Sequence, residues 1–150
     1  TVIGAYRREI DRYFANPDNY TFNEDEYLEL CKVSHRPYTT GFYYNKPDEN
    51  SQVYTSSSYI RDYDLIGMVE DYNSETGIAK VSQRNKFSLG EKIEIIQPNE
   101  PFFKMEIKNM KDENGLPIES APHAVMTVYM PVDKPVKKGA MLRRAKTEKK

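Results

Sequence analysis

The sequence has no tryptophan, a single cysteine and only two histidines among its 150 residues. Cys31 cannot form an internal disulfide, and with His35 and His123 it falls short of the roughly four ligands that a structural zinc site takes. Gly-x-Ser-x-Gly, His-Glu-x-x-His and the glycine-rich phosphate loop are all missing. No nucleophile, base and orienting group stand together in the pattern an active site requires, so these residues predict no catalytic set, no metal and no cofactor. No apolar run approaches the roughly 20 residues of a membrane helix, and there is no signal-peptide pattern. A lone cysteine suits a reducing compartment, so the expectation is a cytoplasmic chain without a membrane partner. The opening Thr1-Val2-Ile3-Gly4, without methionine, reads as a piece cut from a longer protein.

What is present is charge and tyrosine. Charged residues make up 30% and apolar ones 38%, enough for one packed core with an appendage. The net charge of −1 conceals an asymmetry. Residues 134–150 hold eight Lys/Arg against one Glu, a net of +7, which leaves 14 basic and 22 acidic groups, a net of −8, in residues 1–133. A basic end on an acidic body suits an anionic partner such as a nucleic acid, and equally a solvated terminus.

Residues 77–97 set the pattern for the rest: strand from Ile78 to Arg84, a turn around Gly90, and an isoleucine-rich strand from Glu91 to Gln97. An echo of the 87–93 stretch lies 49 positions on, at Val136-Lys137-Lys138-Gly139-Ala140-Met141-Leu142, and predicts two similar halves. Further strands are expected at Leu65–Tyr72, at Phe103–Lys108, at Ala124–Met130 and at Ala140–Arg144. Ile93 and Ile95 are expected to face inward and Glu94 outward. Before them, Tyr6, Ile10, Tyr13 and Phe14 mark one face of a helix over residues 3–15, stopped by Asn16-Pro17. Asn23 and Glu26 are spaced as a capping box for a second helix. The predicted fold is mainly β: a small six-stranded antiparallel β-barrel preceded by two short α-helices. Its parts are a helical linker at 1–34, an aromatic-rich irregular strap at 35–64, the barrel at 65–144 and a basic tail at 145–150.

The candidate site residues are basic and aromatic. Arg84 and Lys86 in the central connection, with Arg143 and Arg144 on the last strand, stand at related turns and are expected to pool their charge against phosphate. The strap holds six of the twelve tyrosines. Tyr38 and Tyr43 are candidates for stacking on bases or gripping a peptide. The competing expectation for the strap is that it packs over the barrel mouth with its phenols hydrogen-bonded. His123 reads either as a loop functional group or as a strand-end side chain bonded to backbone.

Several stretches in order resemble the C-terminal region of the collagenase-like peptidases of family U32. They are Tyr6-Arg7, Ile10-Asp11, Ser34-His35-Arg36 with Gly41-Phe42, Gly67-Met68-Val69, Arg84-Asn85-Lys86-Phe87 with Gly90, Ile93-Glu94-Ile95 and Ala121-Pro122-His123. The resemblance covers residues 3–144 and implies an N-terminal catalytic domain as partner, similar to a (β/α)-barrel, with residues 1–20 as its end or link. It also implies a barrel resembling the second domain of translation factors, an analogy of fold alone. Some members are known as collagenases; others resemble enzymes that hydroxylate tRNA wobble uridine or ribosomal RNA with cysteine-bound iron–sulfur chemistry. The cysteine and histidine motifs of that chemistry have no counterpart here. The expectation is therefore a non-catalytic accessory domain that positions a macromolecular substrate, most directly tRNA. The alternatives are a module recruiting collagen-like peptide to a peptidase, and a purely structural or dimerisation domain.

Overall fold

A computed structural model describes residues 1–49 and 58–146. Tyr54 and Ser56-Ser57 of the strap, and residues 147–150 of the basic tail, lie outside the described residues. The chain divides into two compact units, Thr1–Asp62 and Tyr63–Lys150.

The first unit carries helix α1 (Val2–Ala15), a 3-10 turn (Pro17–Asn19) and helix α2 (Glu24–Cys31). Asn16 ends α1 because Pro17 supplies no amide for another turn. Asn23 caps α2, its Oδ1 accepting from the Asp25 amide at 3.1 Å. The second arm of the expected capping box is not made. Glu26 turns instead to Arg8, which donates to both carboxylate oxygens at 2.7 and 2.6 Å. The Asn23 amide that Glu26 would have taken points at Glu9 Oε2, 3.5 Å away. A bidentate guanidinium outcompetes a backbone amide for a carboxylate, and the sequence spacing of the box does not reveal that Arg8 lies across from it. Around this joint α1 packs on α2, with Ala5 buried, while Tyr6, Ile10 and Phe14 stay exposed.

The second unit is the expected antiparallel sheet. Its strands are β1 (Tyr63–Asn73), β2 (Ile78–Gln83), β4 (Lys92–Ile96), β5 (Phe103–Glu106), β7 (Thr127–Pro131) and β8 (Met141–Ala145), in the order β5-β4-β8-β1-β2-β7. A separate pair, β3 (Phe87–Ser88) with β6 (Ser120–Ala121), was not foreseen. Two irregularities in β1, at Leu65/Gly67 and Val69/Asp71, increase the coiling of the sheet. The curl brings its edges together at one place: Lys111, beyond β5, bridges Tyr129 of β7 through two bonds of 2.9 Å. The predicted barrel is thus a curled six-stranded sheet whose last joint is one bridge and not a full ladder.

The 49-residue echo is visible in the pairing. Glu94 faces Arg143 where β4 meets β8, and Lys80 faces Tyr129 where β2 meets β7; each pair is 49 positions apart. The two turns are held alike. Gly90 N–H donates to Ile107 O and Ile107 N–H to Glu91 O, at 2.8 and 3.0 Å; Gly139 N–H donates to Val69 O and Val69 N–H to Ala140 O, both at 2.8 Å. A two-fold exchange of β1 with β5, β2 with β7 and β4 with β8 therefore carries one half onto the other. Inside lie Ile66, Val69, Val81, Phe87, Ile93, Ile95, Ile107, Val128, Met130 and Leu142, each at most 1% exposed. Burying an aliphatic or phenylalanine side chain of this kind is worth roughly 1.5–3 kcal/mol.

Ile93 and Ile95 face this core as expected, but Glu94 does not face water. It is 6% exposed. Its register neighbours are Lys104 on β5 and Arg143 on β8. Arg143 Nε and Nη2 donate to Glu94 Oε2 at 2.8 and 2.7 Å, and the Lys104 ammonium stands 3.8 Å from Oε1. The rings of Tyr63 and Phe102 each lie with their centroid 5.3 Å from the Arg143 guanidinium carbon. Alternation in the sequence separates two faces of a strand; it does not say that the polar face stays open.

Candidate nucleic-acid interface

Strand β2 ends at Gln83, and the following loop is pinned to the start of β1. The amides of Arg84 and Asn85 donate to Ile66 O at 2.8 and 3.3 Å, and Asn85 Nδ2 donates to Leu65 O at 2.7 Å. Strand β8 lies on the other side of β1, with Arg144 opposite Asp64. The Arg144 guanidinium donates to Lys86 O at 3.2 Å, is paired with Glu91, and reaches Asp64 at 3.8 Å. Lys146 approaches Asp64 at 3.5 Å. Arg84, Lys86, Arg144 and Lys146 thus gather at one end of the sheet around two carboxylates, an excess of positive charge. Arg84 and Lys86 are exposed and Arg144 half-buried. Among the described residues Arg84 Nη1 rests on Ser82 Oγ (3.2 Å) and Gln83 O (3.5 Å).

Arg143 does not join them. One residue from Arg144 along β8, it points to the other face and is held in the buried pair with Glu94. Three of the four expected basic residues are brought together; the fourth braces the sheet.

The two candidate tyrosines also part company. Tyr38 O–H donates to Leu30 O at 2.9 Å, and its ring stacks on His35 with centroids 4.6 Å apart and planes 5° from parallel. Partial burial pushes its phenol above the ordinary value, although the side chain remains 44% exposed. His35 Nδ1 is 2.8 Å from Val33 O, so Tyr38 and His35 brace one another in the first unit. Tyr43 is 89% exposed, beside Phe42 and Tyr44 at 83% and 78%. Tyr43 and Tyr44 meet edge to face, with ring centroids 6.2 Å apart.

His123 is exposed in the loop before β7, where Val125 has a φ of 62°. Among the described residues no three His, Cys, Asp or Glu side chains group as metal ligands. A cleft of about 330 Å³, lined in part by Phe102, Phe103, Lys134 and Lys137, was not singled out from the sequence. Its walls come from segments more than thirty residues apart in the chain, so no local pattern marks it. No helix among the described residues is long and apolar enough to cross a membrane.

A helical segment followed by a curled antiparallel β-unit with a basic end defines the class: a small, mainly β domain preceded by two helices. Residues 61–143 match the peptidase family U32 C-terminal domain, and residues 1–53 match peptidase family U32. The chain belongs to peptidase family U32, of which it carries the C-terminal domain. It is 30% identical over 146 residues to tRNA hydroxylation protein P1 of Bacillus subtilis (strain 168), covering 97% of this chain and 35% of that protein. Against tRNA hydroxylation protein P of Escherichia coli (strain K12), identity is 27% over 130 residues, with 85% of this chain and 27% of that protein covered. The chain therefore spans about a third or less of these relatives. The crystal structure of the C-terminal domain of a Geobacillus thermoleovorans protein named as a U32 peptidase is similar, with a TM-score of 0.53 and 34% identity, over 54% of this chain and 99% of that one.

Proposed function

We propose that this chain is the non-catalytic C-terminal part of a U32 protein that holds RNA, most directly tRNA, for the chemistry of the N-terminal domain. The observation that carries the reading is the preorganised basic end of the β-unit: Arg84 and Lys86, exposed on a loop pinned by three hydrogen bonds, next to Arg144 and Lys146. Fixed cations attract phosphate without the entropy cost of ordering a floppy loop. The names of the relatives, tRNA hydroxylation proteins, point the same way. In this reading residues 1–34 lead out of the catalytic part, the 35–64 strap presents aromatics, and the β-unit with its basic tail meets the nucleic acid in the cytoplasm. The exposed face of α1 (Tyr6, Ile10 and Phe14) would be covered by the N-terminal domain.

The test is a tRNA titration of the 150-residue chain at several salt concentrations. The three phosphate contacts of this end, at Arg84, Lys86 and Lys146, contribute about −2.7 to the log–log salt slope by analogy with duplex DNA. Changing these three to alanine should remove most of that slope. Changing Lys134 and Lys138, near the opposite end of β8, should leave it. No binding at low salt, or equal slopes for the two variants, would refute the reading.

The run Phe42-Tyr43-Tyr44 favours a second reading, in which the strap grips a collagen-like peptide. Retention on gelatin that is indifferent to salt and lost in Tyr43→Ser would support it over RNA.

A further inference from the structure

Five of the eight arginines close on a carboxylate: Arg7 on Asp11, Arg8 on Glu26, Arg12 on Glu9, Arg143 on Glu94 and Arg144 on Glu91. Arg84 meets none among the described residues, and neither do Arg36 and Arg61. The last two are brought side by side within the first unit. His35 and Ile60 exchange both backbone hydrogen bonds, at 3.1 and 2.8 Å, as an isolated antiparallel bridge. Such a bridge sets Arg36 across from Tyr59 and Ser34 across from Arg61, with all four side chains on one face. The contacts agree. The Arg36 guanidinium carbon lies 5.1 Å from the Tyr59 ring centroid and that of Arg61 lies 5.8 Å from it, while Arg61 Nε donates to Ser34 Oγ at 3.2 Å.

Two guanidiniums on one ring repel each other. The electron-rich face of Tyr59 offsets part of that repulsion and fixes where both groups sit. Among the described residues no carboxylate closes on either guanidinium. Residues 50–57, which lie between the two arms, contain no Asp or Glu, so that stretch of sequence brings none. Arg36, Tyr59 and Arg61 are all exposed. A planar guanidinium fork matches two oxygens of a phosphate, and two such forks held close suit a phosphate backbone better than a single carboxylate.

We propose that Arg36 and Arg61, held around Tyr59, form a phosphate clamp for the backbone of the RNA. This rests on the RNA reading above but uses residues of the first unit, separate from Arg84, Lys86 and Lys146.

Two measurements on the 150-residue chain test it. In the first, arginine Nε–Hε NMR signals are followed as inorganic pyrophosphate is added. The signals of Arg36 and Arg61 should move together and saturate, while those of Arg7, Arg8 and Arg12 stay. Signals of Arg36 and Arg61 that remain still at low salt overturn the clamp. In the second, tRNA is titrated against salt with the Arg36→Ala/Arg61→Ala and Arg36→Lys/Arg61→Lys variants. Losing two contacts should flatten the log–log slope by about 1.8, at the same roughly 0.9 per phosphate taken for duplex nucleic acid. The lysine variant should restore the slope, which counts charges, while binding tRNA more weakly than wild type, because an ammonium cannot form the two-oxygen fork. An unchanged slope in the alanine variant, with wild type still binding tRNA, overturns the clamp and leaves the proposed function standing. A flattened slope that lysine does not restore overturns it as well. Pyrophosphate shifts in a chain that binds no tRNA overturn the assignment of the phosphate to RNA.

Discussion

Glu94 and Arg143 share a buried site on a face that the sequence marks as polar. Each charge is costly to desolvate, and each is tolerable because the other is there. Removing one partner should therefore cost far more than removing both. Glu94→Leu, which leaves the guanidinium buried beneath Tyr63 and Phe102, should lower unfolding stability in urea by about 3–5 kcal/mol. The double variant Glu94→Leu/Arg143→Met should recover most of the loss. Equal stabilities for the single and double variants would show that the pair is not coupled. A surface carboxylate behaves differently. Hydrogen bonding to Lys137, 2.7 Å away, holds the Glu100 carboxyl below its ordinary value, with Gln97 Nε2 adding a further bond at 2.7 Å. A depressed folded-state value contributes stability that is whole above the unfolded carboxyl's value and is lost as pH falls through the folded one. In a carboxyl ¹³C NMR titration, Lys137→Ala should move the Glu100 midpoint upward.

At the scale of elements, strand β1 and the two glycine turns determine how tightly the sheet coils. A Cβ built on Gly67 would stand 2.7 Å from Val81 Cγ1 and 3.4 Å from Ser82 O on β2. Gly67→Ala must push β1 and β2 apart and should cost about 1–3 kcal/mol, the range of overpacked cores. Gly139 meets no such crowding, but its φ of +86° is one that other residues rarely adopt. Gly139→Ala should cost about 1–2 kcal/mol through backbone strain alone. Paired with Val81→Ala, Gly67→Ala should recover stability, whereas Gly139→Ala should not; thermal unfolding of the two double variants separates the causes. Helix α1 poses the opposite case, an element with too little covering it. Phe14 is 74% exposed and Tyr6 62%. Phe14→Ser should change stability by less than about 0.5 kcal/mol, yet should reduce self-association measured by sedimentation if this face is sticky when uncovered.

The whole molecule joins two units with different dependence on local sequence. All six main strands and both helices could be located from the sequence, because alternation, helical spacing and the Asn16-Pro17 stop are written within a few residues. The echo around Gly90 and Gly139 announced two halves, and those glycines are clamped by matching backbone bonds. The basic end was legible in part. Arg84, Lys86 and Arg144 converge because the connection after β2 and the last strand both lie along β1; the related turns do not account for it, since Gly90 is held on Ile107 and Gly139 on Val69. Arg143 was misplaced because whether a residue of a strand's polar face is open to water depends on strands and rings far away in the chain. Its partner Glu94 sits 49 residues back, and Tyr63 and Phe102 come from two other segments. The same limit hid the Arg36–Tyr59–Arg61 cluster and the separation of the braced Tyr38 from the exposed Tyr43. The sequence by itself determined the main elements and their order, since periodicity and turn chemistry are local, and its ordered motifs carried the resemblance to the family. Only the tertiary structure decided which charges are buried, which are paired and which face solvent, since a charge's worth is fixed by neighbours that the fold, and not the chain order, supplies.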